Sequence, residues 1–444
     1  MEVTRRLARY VVGSQNADTP PAARHEATRS LVNWLGCALG GSRHDAVTLA
    51  LNALQPFAGS PQAGVIGRRE RLDILHAALI NGMSAHVLDF DDTHLRTLMH
   101  PSVPVASSLL ALAERRPLSG PDFLHAFVLG VEVECRVANA IYASHNVNWY
   151  ITGTAGVFGA AAAAGRVLGL DAQQMTWAFG IAATQAAGLR EMAGTMCKSF
   201  VHGRAAQNGM TAALLAAAGF TSSEQAIEAP RGFARVLAAE CNLDAITDGL
   251  GATFEISLNT YKPYACGVVC HPVIDGCIQL RNAHALAPAQ IAAVELRVHP
   301  LAMKLTGIKA PRSGLESKWS LYHSAAVAIA DGAAGEHQYT DERVHDRVIK
   351  QLRECVTAEV DAGLRDDEAH VAITLCDGRV LEQHVEHAIG SIDRPMSDRD
   401  LERKFLALAA DVLPQAQIDA LLGKCWQVAD LDDVAELARM AAPQ

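Results

Sequence analysis

The spacing of hydrophobic residues in the first half of the chain predicts a succession of helices. In residues 22–40 the apolar side chains recur at helical spacing, at Ala27, Leu31, Trp34, Leu35 and Leu39. Two later segments, 156–169 and 205–219, are so rich in alanine and glycine that they almost lack a polar face. Such helices lie between other helices, where small side chains allow close approach. We therefore expect residues 1–255 to form one large, all-helical domain.

The pattern changes to a period of two after residue 255. Val294–Val298 alternates like a strand, and so do the runs 371–375 and 380–385, which flank Asp377-Gly378. Asp-Gly between two alternating runs is typical of a β-hairpin. Segments 318–330 and 342–352 are predicted as helices. We expect a smaller α+β lid domain over 256–394, after which residues 395–444, with Ser397 as a helix cap, return to the helical domain. The fold class is therefore mainly α.

Composition narrows the classes of function. Half of the 444 residues are hydrophobic, which excludes general disorder, and the net charge of −10 disfavours nucleic acid or a membrane surface as a partner. The N-terminal segment has no continuous apolar stretch, so we expect a cytoplasmic protein with reduced cysteines. Cys266, Cys270 and His271 cluster without the usual spacing of a zinc site, so no metal is predicted. The sequence lacks a Gly-x-Gly-x-x-Gly motif and a P-loop, and no cofactor is predicted.

Two segments of the helical part are dense in chemically active side chains. The run His86-Val-Leu-Asp89-Phe-Asp-Asp-Thr93-His94, followed by His100, holds three carboxylates and three histidines, which are costly to bury without partners. A solvated helix end is the alternative to a site. Asn148-Trp-Tyr150-Ile-Thr-Gly-Thr precedes the first Ala-rich helix. These side chains either cap that helix or direct polar donors at an anion.

Two further segments bring basic residues. Lys198, His202 and Arg204 are expected just before the second Ala-rich helix, where cations and free N–H groups would suit a carboxylate. Lys262 lies between Tyr261 and Tyr264 and is followed by His271, close to the predicted domain boundary. A partly desolvated lysine there suits a base or an anion clamp. A solvated charge run and a linker are the respective alternatives.

At these segments the sequence resembles the MmgE/PrpD family, which includes 2-methylcitrate dehydratases, cis-aconitate decarboxylases and iminodisuccinate epimerase. The motifs that carry the resemblance follow one another in family order: HVLDFDDTH with HPS, TGTAGVFGAAAAAGRVLGL, KSFVHGRAAQNG, KPYACGVVCHP and RPMSDRDLERKF. The resemblance implies a large helical domain with a smaller lid, a homodimer, and no metal or organic cofactor. It implies a site formed by Asp89, Thr93, His100, Lys198, Lys262 and His271.

Two departures from that family bear on the reaction. Many members carry a histidine where this chain has Tyr150, and many have their histidine one place earlier than His202, where this chain has Val201. A dehydratase or decarboxylase that relies on those imidazoles would be impaired. The tyrosine resembles the epimerase branch.

The family's reactions all move a proton at a carbon next to a carboxylate, which requires a carboxylate clamp and positioned acid/base groups. Epimerisation needs two such groups, and Tyr150 with a lysine is suitable if a nearby cation lowers the tyrosine pKa from ~10. Dehydration needs an acid such as His100 or His271, whereas decarboxylation needs only a proton donor. We expect a cofactor-free enzyme acting on a small di- or tricarboxylate, similar to iminodisuccinate epimerase. A dehydratase-like or decarboxylase-like lyase and a catalytically inactive helical binding protein are the alternatives.

Overall fold

Helices fill the first half of the chain. The computed structural model describes residues 2–145 and 149–443, so Asn148 of the second motif lies outside the described residues. The helices are α1 (Val3–Gly13), α2 (Pro21–Gly41), α3 (Asp45–Leu54), α4 (Ile74–His86), α5 (Ser102–Ala113), α6 (Gly120–His145), α7 (Ile151–Leu168), α8 (Ala172–Thr184), α9 (Cys197–Ala217), α10 (Phe233–Leu237) and α11 (Asp244–Thr247). Short strands are β1 (Ala63–Gly64), β2 (Arg71–Leu72), β3 (Thr93–His94) and β4 (Asn259–Thr260).

The two Ala-rich helices, α7 and α9, form the centre of this part and pack on each other. Their contact depends on glycine, because a Cβ atom at Gly209 would lie 2.5 Å from the backbone oxygen of Val157. By length and composition α7 could cross a membrane, but 83% of it is buried inside the fold. It is the core helix that its composition predicts.

The second part contains one four-stranded sheet. Its elements are α12 (His271–His284), β5 (Ile291–Val298), α13 (Pro300–Thr306), α14 (Gly314–Ser317), α15 (Leu321–Asp331), α16 (Asp341–His345), α17 (Arg347–Glu354), β6 (Val356–Val360), β7 (Ala369–Leu375) and β8 (Val380–Val385). The strand order is β6-β5-β7-β8, with only the β5–β6 pair parallel. Gly378 has φ of 88°, which lets the chain reverse between β7 and β8. The predicted hairpin is confirmed.

Two helix predictions in this part need correction. Segment 342–352 is two helices, because the Asp346 carboxylate accepts hydrogen bonds from the N–H groups of Val348 and Ile349, and so starts α17 anew. The helix predicted from Lys318 begins at Leu321, with Ser320 as its cap. Both errors concern caps that periodicity alone does not reveal.

The C-terminal helices are α18 (Asp398–Ala409), α19 (Gln415–Trp426) and α20 (Ala435–Met440). Ser397 and Asp400 form a capping box at the start of α18, as predicted. Helix α18 packs on α2, and Leu401 and Phe405 belong to the same hydrophobic core as Leu31. The fold is mainly α with a smaller α+β part, as expected. The boundaries at residues 255 and 395 stay a prediction.

A short pairing connects the two parts close to the site. Strands β3 and β4 are antiparallel, with Thr93 opposite Thr260 and His94 opposite Asn259. This pairing holds the segment after α4 beside the segment that contains Lys262. Helix α9 packs against α4, which brings Lys198 to the same place.

Candidate active site

The centre of the site is a buried carboxylate between two lysines. Asp89 Oδ1 accepts hydrogen bonds from Lys198 Nζ at 2.8 Å and from Lys262 Nζ at 2.7 Å. The three residues are 3%, 6% and 3% exposed. Burial alone would raise the pKa of Asp89, but the two ammonium groups hold it well below its usual value. The structure therefore brings Asp89, Lys198 and Lys262 together, and their role in a site stays a prediction.

Asp89 lies in an unusual backbone conformation. Helix α4 ends at His86, and Asp89 follows with φ of 51°. This left-handed conformation is uncommon for a residue with a side chain. It turns the carboxylate towards α9, where Lys198 lies in the first turn of the helix and not before the helix as expected.

Three histidines form a cluster beside this carboxylate. The rings of His86 and His202 are stacked, with centroids 3.3 Å apart, and His100 lies 4.8 and 5.4 Å from them. The Nδ1 atoms of His100 and His202 contact backbone oxygens, of Asp92 at 2.7 Å and Lys198 at 2.8 Å. Because those oxygens only accept, each Nδ1 carries the proton. Burial holds the pKa of all three histidines well below its usual value, so they are neutral at neutral pH.

The same cluster is a poor metal site, although one ring nitrogen from each histidine lies within 4.8 Å of the others. A metal ion binds in the plane of an imidazole, and the nearly parallel rings of His86 and His202 are only 15° apart. Their planes therefore do not meet near the rings. The ammonium groups of Lys198 and Lys262 also oppose a cation here. The cluster suits proton chemistry better than metal binding.

A small cavity of about 40 Å³ opens on this centre. Its polar lining comprises Asp89, Thr93, His100, Tyr150, Arg190 and Lys262, and its apolar lining includes Leu98, Val268, Leu305 and Trp319. Such a mixture of a few convergent polar groups and an apolar wall is typical of small-molecule sites. Thr93 Oγ1 is 3.5 Å from His100 Nδ1.

Tyr150 faces this cavity at the start of α7. Its ring meets His202 edge-on at 5.1 Å, and Lys198 Nζ and the Arg190 guanidinium lie 5.7 and 5.8 Å from the ring centroid. Burial nevertheless raises the pKa of Tyr150, outweighing these cations. The expectation of a cation-lowered pKa is wrong, and the residue is a phenol at neutral pH. At neutral pH it does not act as a base, and it can donate its proton only to a strongly basic acceptor.

Four predicted residues do not line this cavity. Lys198 and His202 lie beside it, in contact with Asp89 and His86, whereas Arg204 and His271 lie elsewhere. Arg204 is exposed and bonds to Gln207 on its own helix. His271 begins α12 and lines a neighbouring cavity with Pro272 and Asp367, although Leu98 and Val269 border both. Arg204 does not reach the site because it lies six residues after Lys198 on α9, so the two side chains leave the helix in different directions.

The sequence reasoning missed three cations. Arg190 lines the cavity, but nothing in the sequence around it marked it as a site residue. Lys318 and Lys404 are buried close to Asp89. Lys404 stands in the quoted motif RPMSDRDLERKF, but its helical sequence resembles that of a solvated surface helix, and Lys318 lies in no such motif.

Comparison with known proteins matches most of the chain to one protein family. The MmgE/PrpD N-terminal domain matches residues 5–245 and the MmgE/PrpD C-terminal domain matches residues 264–428. The chain is 26% identical to the cis-aconitate decarboxylase of Mus musculus, covering 93% of this chain and 88% of that protein. It is 25% identical to the cis-aconitate decarboxylases of Homo sapiens and Aspergillus terreus, over 99% of this chain and 94% and 95% of theirs. These relatives favour the lyase alternative over the epimerase. The chain belongs to the MmgE/PrpD family.

Proposed function

We propose that this protein is a lyase that decarboxylates cis-aconitate or a closely similar small tricarboxylate. The observation that carries the proposal is a cavity that Tyr150, Lys262 and Arg190 line together, with Lys198 beside it on Asp89. The names of the relatives support the substrate. Their identity of about one quarter leaves the exact tricarboxylate to experiment.

The local charge suits a polyanion, against the negative net charge of the whole chain. Lys198, Lys262 and Arg190 bring positive charge to the site, and the two lysines share the single carboxylate of Asp89. Asp91 and Asp92 lie close by, and burial raises the pKa of both carboxyl groups, that of Asp92 to about 6, which weakens their negative charge in mildly acidic solution. A substrate with several carboxylates would therefore complete the charge balance of the site.

The reaction needs a single proton donor. The bond between carbon and one carboxylate breaks, CO2 leaves, and the bonding electron pair stays on the carbon. The adjacent double bond and carboxylate delocalise that pair. A proton then forms a new C–H bond, so each turnover releases one CO2 and consumes one proton.

In this proposal Tyr150 supplies the proton. His100 and His202 have their Nδ1 protons held by backbone oxygens and offer no second proton while neutral. Lys198 and Arg190, both within 6 Å of the Tyr150 ring, would stabilise the phenolate until solvent returns the proton. Lys262 would hold the substrate carboxylate on which negative charge develops.

The test is incubation with uniformly ¹³C-labelled cis-aconitate in D₂O, followed by NMR. We expect labelled CO2 or bicarbonate and an unsaturated dicarboxylate with one deuterium on carbon. A parallel panel of 2-methylcitrate and substituted succinates separates the other family reactions. Loss of water or deuterium uptake without loss of carbon would refute decarboxylation.

A pair of variants connects the activity to the site. Lys262→Ala should lower turnover by at least ~100-fold, the scale of losing a positioned charge stabiliser. Lys350→Ala, at an exposed position on α17, is the matched control and should keep wild-type turnover. Equal activity of both variants would remove Lys262 from the mechanism.

A further inference from the structure

Three lysines hold three consecutive backbone oxygens around Asp89. Lys318 Nζ donates to the oxygen of Leu88 at 2.6 Å, and Lys262 Nζ donates to that of Asp89 at 3.0 Å. Lys404 Nζ donates to the oxygen of Phe90 at 2.5 Å. We call these three side chains the lysine cradle. They come from distant parts of the sequence and meet just beyond the C-terminal end of α4.

The cradle explains how Asp89 keeps its left-handed backbone. A residue with a Cβ atom leaves that conformation unless its surroundings fix it. The carbonyl groups just past the end of a helix also carry partial negative charge, which ammonium groups neutralise. Each lysine of the cradle fixes one peptide unit, so the direction of the Asp89 carboxylate is determined by the cradle.

Lys404 has a special place among the three. Its side chain is 7% exposed, and its ammonium group donates three hydrogen bonds. The acceptors are Asn33 Oδ1 at 2.8 Å, the backbone oxygen of Phe90 and the backbone oxygen of Lys262 at 2.9 Å. It thus joins the peptide after Asp89 to the peptide of Lys262. Its Nζ also lies 3.9 Å from the Phe90 ring centroid. Lys404 is absent from the lining of the substrate cavity.

We propose that Lys404 is a positioning residue that fixes Lys262 relative to Asp89 without touching the substrate. A neutral apolar side chain at this position would leave three buried oxygens without a donor. The loop and the Lys262 segment would then separate, and the ammonium of Lys262 would lose its place at the substrate carboxylate. The kinetic part of the test rests on the proposed function.

The pH dependence gives a signature of this role. The titratable groups that face Lys404 are Cys37 on α2, Asp91 and Asp92 after α4, and Lys262. Burial lowers the pKa of Lys404 to about 8, so its ammonium loses a proton, and one of its three hydrogen bonds, as the pH rises beyond that value. An arginine at this position would stay charged throughout.

The experiment compares Lys404→Met, Lys404→Arg and the exposed control Lys350→Met. Steady-state kinetics from pH 6 to 10 would be combined with amide hydrogen exchange by mass spectrometry. For Lys404→Met we expect kcat to fall at least 10-fold with KM within 3-fold, and faster exchange in peptides covering 87–92 and 261–263. For Lys404→Arg we expect partial rescue of kcat, and the decrease in kcat at alkaline pH should shift to a higher pH.

The outcomes separate the two proposals. If wild-type protein releases no CO2 from cis-aconitate, the proposed function fails, and exchange alone then decides the role of Lys404. If Lys404→Met exchanges like Lys350→Met in the 87–92 and 261–263 peptides, the positioning role is overturned. If Lys404→Met only lowers the melting temperature while kcat and the pH profile stay unchanged, Lys404 is structural and the proposal is also overturned.

Discussion

Replacement of Asp89 by asparagine is the sharpest test of the electrostatic centre. Asp89→Asn keeps the size of the side chain and one oxygen acceptor but removes the negative charge. Lys198 and Lys262 are 6% and 3% exposed, and both donate to Asp89 Oδ1. The variant therefore leaves two buried ammonium groups close to each other without a counter-charge.

The magnitude follows from burial. Removing one partner of a buried ion pair costs about 3–5 kcal/mol, because the remaining charge cannot return to water. The unfolding entropy is about 2.1 cal/mol/K per residue, and the melting temperature falls by the free-energy cost divided by the entropy of the whole chain. If all 444 residues unfold together, the melting temperature falls by about 3–5 °C. Two lysines share the carboxylate, so we expect the upper part of this range.

The effect has a defined pH dependence. Because the folded pKa of Asp89 lies well below its ordinary value of 3.8, its stabilisation is fully present above pH 3.8. It is lost as the pH falls through the folded pKa. The difference between wild type and Asp89→Asn should therefore be constant from pH 5 to 7 and shrink only in stronger acid.

The assay is urea unfolding followed by circular dichroism, with thermal melting as a second measurement. Asp411→Asn, at an exposed position, serves as the control and should leave stability within ~0.5 kcal/mol of wild type. An Asp89→Asn variant as stable as this control at pH 7 would refute the view that the carboxylate compensates two buried cations. Decarboxylation should fall at least ~100-fold in the same variant.

Further measurements test other parts of the structure. Tyr150→Phe keeps the ring but removes the proton, and should abolish product formation while leaving tricarboxylate binding, measured by calorimetry, nearly intact; full activity would exclude Tyr150 as the donor. Burial lowers the pKa of His323 to about 4 from 6.5, so neutral His323 stabilises the fold above pH 6.5 and this contribution is lost towards pH 4. Between pH 7 and 5 the free energy of unfolding, measured with urea, should therefore fall by about 2 kcal/mol less for His323→Gln than for wild type. An equal fall in both proteins would contradict the lowered pKa of His323. Sedimentation at micromolar concentration should give a homodimer of about twice 47.2 kDa, and a monomer would contradict the family-based expectation.

Much of the fold follows from periodicity in the sequence. The Ala/Gly-rich segments predicted the central helices because only small side chains let α7 and α9 approach so closely. The alternation on both sides of Asp377-Gly378 predicted β7 and β8 because the turn residues allow only a tight reversal. The break between α16 and α17 escaped prediction because the hydrophobic spacing continues across Asp346, while its carboxylate caps a new helix.

The site was only partly predictable. Asp89, His100, Lys198 and Lys262 lie in segments denser in polar groups than a core requires, and this density is visible without a structure. Lys404 lies in a helix whose sequence also suits a solvated surface. Its burial results from the packing of α18 on α2, which no local pattern contains. Sequence alone also gave the wrong direction for the pKa of Tyr150, because desolvation depends on the finished fold and here exceeds the effect of nearby cations.

The displaced histidine changes the argument about the reaction. The sequence suggested that a lyase would be impaired, because Val201 stands where many family members carry an imidazole. In the structure Val201 Cγ1 fills the space beside Gly153 and Gly188, under Tyr150, so tightly that a Cβ atom on either glycine would collide with it. One residue further on, His202 still reaches the site, stacked on His86 and 5.1 Å from the Tyr150 ring. The chain therefore keeps its imidazoles beside a phenol that burial holds protonated. In the proposed lyase reaction that arrangement would provide the proton donor for the carbanion, so the shifted histidine no longer argues against a lyase.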